Sequence, residues 1–163
     1  MSAPGSGDRE PRCSCETQFV IFGFFRQGNG RTGSMDLITV TRKEGLEFGV
    51  RVRGHEITSD YLEDDGGQDR GPSPVELLAA SLGACIAMIV QSYCENHGYG
   101  GDVGVSLTTE LADKPKRIER IVVDLELPDG IPEDRMQAIK RVAQRCPIHE
   151  TLKSPPGVDI DVV

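Results

Sequence analysis

Two cysteines carry whatever reactive chemistry this chain has: Cys85, inside the apolar run Leu77-Leu-Ala-Ala-Ser-Leu-Gly-Ala-Cys85-Ile-Ala-Met, and Cys146, in the step Arg145-Cys146-Pro147. A thiol is a nucleophile only as thiolate, so what matters is whether the surroundings lower its pKa and bring a second thiol within reach. Ser81, Gly83 and Ala84 beside Cys85 are small and leave room for a substrate or another chain to approach the sulfur, and the same residues suit close helix packing around a core cysteine. Cys146 falls where one helix can end and Pro147 can begin the next, so it would face free backbone N–H groups that favour a thiolate. An ordinary apolar or capping role for Cys146 stays open. Together the two residues read as a redox pair.

The other candidate ligands and nucleophiles are weaker. Cys94 lies nine residues after Cys85 and, at about 100° per residue, on the opposite face of the same helix, which suits a structural role. Cys94 and His97 have an i, i+3 spacing, but two ligands on one helix do not make a metal site, and His97 beside Gly98 fits a helix C-terminus. Cys13-Ser-Cys15 has no further ligands near it, and His55 and His149 have no patterned partners. Neither a metal nor a cofactor is expected.

The elements that must position the cysteines can be read along the chain. Residues 1–34 are rich in Gly, Ser and Arg and hold four of the five Phe in one run, Phe19–Phe25, so they predict a disordered extension, with the ordered domain at 35–163. From Leu37 to about Asp60 apolar and polar residues alternate as in a three-stranded meander, and the glycine-rich, polar segment 62–72 predicts a mobile loop. Ser73 can cap a helix, Pro74 suits its first position and Glu76 completes a capping box. The helix should run to Gly98, and because Leu77 to Val90 contains no charge it should be buried on nearly all sides. Two alternating runs follow, Val103–Leu111 and Ile118–Leu127, the second placing Ile121, Val123, Leu125 and Leu127 on one face. A second helix over about 132–145 aligns Met136, Ile139, Val142 or Ala143, and Cys146. A short third helix starts at Pro147, and a last strand is expected at Val158–Val163.

The fold class is therefore α+β, in the order βββ-α-ββ-α-α-β. One small sheet cannot cover an apolar helix of over 20 residues, so a homodimer is expected, with the long helices packed together between two sheets.

Composition narrows the function. A chain of 163 residues with 37% hydrophobic content allows one modest core, and a formal charge of −8 with no run of Lys or Arg argues against nucleic acid or an anionic membrane as partner. Five cysteines do not form a secreted disulfide framework, which places the chain in the cytoplasm. No uninterrupted apolar stretch approaches the ~20 residues of a membrane span, and the acids Asp8, Glu10 and Glu16 before Phe19–Phe25 speak against a signal peptide.

Two stretches, Pro72-Ser-Pro-Val-Glu-Leu-Leu-Ala-Ala-Ser-Leu-Gly-Ala-Cys85 and Arg145-Cys146-Pro-Ile-His-Glu-Thr-Leu152, resemble the signatures of the OsmC/Ohr family over roughly residues 36–163. The resemblance implies an intertwined homodimer with its reactive sites at the subunit interface, and a thiol-dependent peroxidase acting on organic hydroperoxides. Cys85 would then be the peroxidatic thiolate and Cys146 the resolving thiol, with a dithiol such as a lipoyl group as reductant. It also implies an arginine held against the reactive sulfur by a glutamate directly after the first-motif proline. Val75 stands there, with Glu76 one place later and about 100° round the helix. This pattern looks like the YhfA-like branch. Arg42 is the best match for the arginine, with Arg51 and Arg53 behind it. The competing functions are a dimeric protein that binds a small apolar or thiol ligand at the interface without catalysis, and a redox sensor.

Overall fold

The computed structural model describes residues 37–162. The readings made for residues 1–34, including Cys13, Cys15 and the run Phe19–Phe25, lie outside them. Strands β1 (Ile38–Arg42), β2 (Phe48–Val52) and β3 (His55–Ser59) form an antiparallel meander, with Ile38 opposite Val52 and Phe48 opposite Ser59. This is the arrangement that β-branched residues at alternate positions predict. Gly45 supplies the positive φ (50°) of the first turn, which Lys43 N–H closes on the Glu47 carbonyl at 2.9 Å.

Segment 61–72 differs from the mobile loop expected of it. Asp60 is buried, and its carboxylate accepts hydrogen bonds from the backbone N–H groups of Tyr61 (2.8 Å), Gln68 (3.0 Å) and Arg70 (3.3 Å). Ser59 Oγ donates to the Pro72 carbonyl, and the loop carries a 3-10 turn at Glu63–Asp65. Gly67 and Gly71 pass so close to the Tyr61 and Thr58 carbonyls that a Cβ at either would collide with backbone. Glycine here serves close approach rather than freedom, a distinction that composition does not carry.

Helix α1 (Pro74–Asn96) begins where the sequence places it. Glu76 Oε2 accepts from Ser73 N–H and Oγ–H, both at 2.7 Å, while Glu76 N–H donates to Ser73 Oγ at 3.4 Å. The helix ends at His97 as C-cap, followed by Gly98 at φ 74°. Burial departs from the expectation. Within one chain only the stripe Ala79, Leu82, Gly83, Ile86, Val90, Cys94 is buried, and Leu78, Ala84 and Met88 are open, Met88 at 71% exposure. α1 also has the length and composition to cross a membrane, although no single uninterrupted apolar stretch in it does. Its buried stripe packs on β4, β5, α2 and α3, as the core helix of the domain.

Strands β4 (Gly104–Asp113) and β5 (Lys116–Glu126) form a two-stranded antiparallel hairpin whose inner face, with Leu107, Ile121, Val123 and Leu125, lies over α1. Gly83 permits the close approach, because a Cβ there would stand 2.5 Å from Leu107 Cδ1. Gln91 ties the returning loop to the helix, its Oε1 accepting from Val103 N–H at 2.9 Å and its Nε2 donating to the Gly101 carbonyl at 3.2 Å.

The second helix is shorter than predicted. A 3-10 turn at Glu133–Arg135 precedes α2 (Met136–Ala143), and α3 (Pro147–Lys153) follows. Of the predicted stripe, Ile139, Ala143 and Cys146 are buried, whereas Met136 is 39% exposed. The predicted last strand has no partner among the described residues, and Val158, Ile160 and Val162 are exposed. A strand exists only when another strand takes up its N–H and C=O groups, and the described residues offer this segment none.

Ile139, 1% exposed where α2 meets α1, is the largest of the fully buried side chains. Ile139→Ala is expected to cost about 2–5 kcal/mol in urea denaturation. Burial raises the Asp60 pKa, but the three N–H donors and the Arg70 charge outweigh it and hold the carboxyl below the usual range. A lowered folded-state pKa means that this contribution is complete above the ordinary carboxylate pKa and lost as pH falls through the folded value. Asp60→Asn should therefore be less stable than wild type at pH 7, with the gap narrowing toward pH 3.

Candidate functional site

The cysteine pair is built by two neighbouring pieces of local structure. Cys85 sits on α1 between the buried residues Leu82 and Ile86, half-exposed and packed against the core cluster. Cys146 is the N-cap of α3, in extended conformation (φ −66°, ψ 139°), with Pro147 in the first turn, and it is fully buried. Its Sγ accepts a hydrogen bond from the His149 N–H at 3.2 Å. α2 and α3 both pack on α1, and that brings Cys146 and Cys85 into one cluster, close enough for Cys85 to act on the Cys146 thiol; both are free thiols.

The electrostatics of Cys146 differ from what its place before Pro147 suggests. Burial pushes its thiol pKa up, the His149 amide works against that, and the contact with Cys85 and the Cys85 charge raise it again. The net direction is upward, so Cys146 is held as a thiol and not favoured as a thiolate. Cys94 is buried in the same core, its pKa raised by burial and by Glu95.

Arg42 is not placed at the pair within one chain. It ends the exposed strand β1, where its Nε donates to the Gly45 carbonyl at 2.8 Å. Arg51 pairs with Glu56 at 3.2 Å on the next strand, and Arg53 occupies the β2–β3 turn at φ 55°. His97 Nδ1 lies 2.8 Å from the Tyr93 carbonyl and its ring stacks on Tyr93 at 4.0 Å, an arrangement that ties down the end of α1. Among the described residues no three His, Cys, Asp or Glu side chains are grouped to hold a metal. Between α1, β5, α2 and α3 lies an apolar groove of about 840 Å³ lined by Leu82, Ile86, Ile121, Leu125, Ile139 and His149, among others.

A thiol pair presented by a long apolar helix and the first turn of a short one is the arrangement that the two sequence motifs imply, and the family model of OsmC-like proteins matches residues 66–161, which contain both. The chain belongs to the OsmC-like family. No curated protein matches it by sequence. A Psychrobacter arcticus structure named for an osmotic stress induced and detoxification response is 21% identical, with a TM-score of 0.68 over 78% of this chain and 91% of that one. An organic hydroperoxide resistance protein OsmC from Legionella pneumophila is 17% identical, with a TM-score of 0.55 over 72% and 89%. A Vibrio cholerae structure named for organic hydroperoxide resistance, with captopril bound in one of its active sites, is 15% identical, with a TM-score of 0.60 over 78% and 92%. At these identities the likeness is one of fold.

Within this OsmC-like chain, sequence reading passed over His149. The signal was present: Cys146-Pro147-Ile148-His149 repeats the plan of Ser73-Pro74-Val75-Glu76, an N-cap, a proline in the first turn and a polar residue at the third helical position. It is visible only once Cys146 is seen as a cap. The difference in exposure between the sulfurs predicts selective labelling. At pH 7 iodoacetamide should modify Cys85 at least about tenfold faster than Cys146 or Cys94, as read by peptide mass mapping, and Cys146 labelling should rise only above the ordinary thiol range.

Proposed function

We propose that this OsmC-like protein is a thiol-dependent peroxidase that reduces organic hydroperoxides through Cys85 and Cys146, in defence against oxidative stress. The observation that carries the reading is the packing of a partly exposed thiol, Cys85, against the core cluster that holds the fully buried Cys146 thiol. The Cys85 thiolate attacks the outer peroxide oxygen. An S–O bond forms, the O–O bond breaks, and the alkoxide leaves and takes up a proton to give the alcohol. Cys146 sulfur then attacks the Cys85 sulfenic acid, the S–O bond breaks, and water leaves as the disulfide forms. A dithiol reductant restores both thiols by exchange. The hydroperoxide-resistance names of the Legionella and Vibrio structures accord with this chemistry.

Two copies complete the site on this reading. α1 leaves Leu78, Ala84 and Met88 exposed, and the alternating Val158, Ile160 and Val162 have no sheet to join among the described residues. A second copy of the chain supplies a matching helix face and free strand edges. It also offers a second β1, which makes the partner's Arg42 a supporting group for Cys85. The alternative reading, non-catalytic binding of an apolar or thiol ligand, is favoured by one observation: Glu76 is committed to Ser73 and is not free to orient an arginine.

Stopped-flow consumption of cumene hydroperoxide by the reduced protein separates the two. Wild type should react far faster than free cysteine, Cys85→Ser should lose the reaction, and Cys146→Ser should consume one equivalent and retain a sulfenic acid. Reaction of all three at the rate of free cysteine leaves the binding reading. For the assembly, wild type should elute from light-scattering chromatography at twice its 17.7 kDa chain mass, and Met88→Glu should shift it toward one chain.

A further inference from the structure

The resolving step has a difficulty that the geometry exposes: Cys146 must lose a proton to attack, yet burial and Cys85 hold that proton on. We infer that His149 is the base that takes the Cys146 proton when the disulfide forms and returns it to the departing group, an inference that rests on the peroxidase reading for its reaction and on α3 for its geometry.

The start of α1 shows what an N-cap followed by proline and then a polar third residue can do. There the Glu76 side chain turns back and meets the Ser73 hydroxyl at 2.7 Å. His149 holds the same position relative to Cys146, and its N–H is already on Cys146 Sγ at 3.2 Å, so the two backbones are in the register that lets a third-position side chain reach back. His149 is half-buried and lines the apolar groove, and the same reach back from the third helical position would set its side chain beside the cap sulfur. Imidazole is the side chain that takes up and releases protons near neutral pH, as this step requires.

The other titratable groups around the groove are less suited. Glu119 on β5 pairs with Arg117 at 3.4 Å, Arg120 with Glu110 at 3.7 Å, and Glu150 on α3 with Lys153 at 3.2 Å. Lys140 on α2 also lines the groove. From α1 the nearby titratable group is Cys85 itself. The step balances: the Cys146 S–H proton passes to His149, the thiolate forms the S–S bond as the Cys85 S–O bond breaks, and hydroxide takes the proton from imidazolium to leave as water.

Two measurements on the full chain test this, one independent of peroxide. In the first, reduced protein receives one equivalent of cumene hydroperoxide, and sulfenic acid (by dimedone trapping) and the Cys85–Cys146 disulfide (by peptide mass mapping) are followed from pH 6 to 9. His149→Gln should consume peroxide within about twofold of wild type but form the disulfide at least about tenfold more slowly at pH 7, at the low end of what acid–base catalysis contributes. Its rate should climb with pH where wild type levels off. In the second, Cys85 carries thionitrobenzoate, and the rate at which Cys146 displaces it should fall as much in His149→Gln and His149→Ala. Added imidazole should restore part of the rate to His149→Ala and leave wild type unchanged, which separates lost base from lost packing. Disulfide formation at the wild-type rate with the wild-type pH profile in both variants overturns the inference. If wild type ignores peroxide yet the second measurement behaves as stated, the peroxidase reading fails and the role of His149 stands.

Discussion

The packing of α2 and α3 against one stripe of α1 is the constraint on which the rest depends. Ile139, Ala143 and Cys146 are buried against Leu82, Ile86, Val90 and Cys94, so the residue that ends the α2 stripe is carried down onto the neighbour of Leu82 and Ile86, which is Cys85. Neither sulfur could be placed by its own helix alone. The capping box at Ser73 and Glu76 sets where α1 starts and hence which residues share its inner face, and Gly83 lets the β4–β5 hairpin close from the other side. A reactive site made this way inherits the rigidity of the core, because moving either thiol means repacking close-fitted apolar side chains.

What was legible in the sequence was what local chemistry decides. The meander, the start and end of α1, the hairpin, the break at Cys146-Pro147 and the inward face of β5 were all readable, since caps, prolines, glycines and alternation act within a few residues. What was not legible depended on residues far away in the chain or on another chain. The polar, glycine-rich loop after Asp60 reads as mobile until one carboxylate is seen to gather three of its N–H groups. Lack of charge in α1 implies burial on all sides, but one chain covers only one side of it. The Val158–Val163 pattern states a preference for a sheet without supplying one. Cys146 was judged from its amides alone, and the burial that outweighs them is a property of the folded core.

Glu76 marks where this chain departs from the pattern that its first motif implies. A carboxylate that accepts two hydrogen bonds from Ser73 is held below its usual pKa by those bonds, and what it stabilises is the first turn of α1. The same carboxylate is engaged by Ser73 and lies about 100° round the helix from the place that the motif implies, so it is not free to hold a guanidinium against the Cys85 sulfur. With Val75 apolar and Glu76 committed, the first turn of α1 offers no carboxylate to hold a guanidinium at Cys85. Within one chain the thiol packed with Cys85 is that of Cys146, which burial keeps protonated.

That packing ties the two chemical steps together. On the peroxidase reading, the proton that burial keeps on Cys146 must leave before a disulfide can form. Removing it requires a group on the Cys146 side of the pair, close in sequence to the cap, and able to gain and lose a proton without a permanent charge in an apolar groove. An imidazole at the third position of α3 meets all three conditions, whereas the carboxylate that occupies the equivalent place in α1 fails the last. Two helix starts built on one plan thus do different work through a single exchange of chemistry: Ser and Glu fix a helix end, and Cys and His put a movable proton at the place where a disulfide must close.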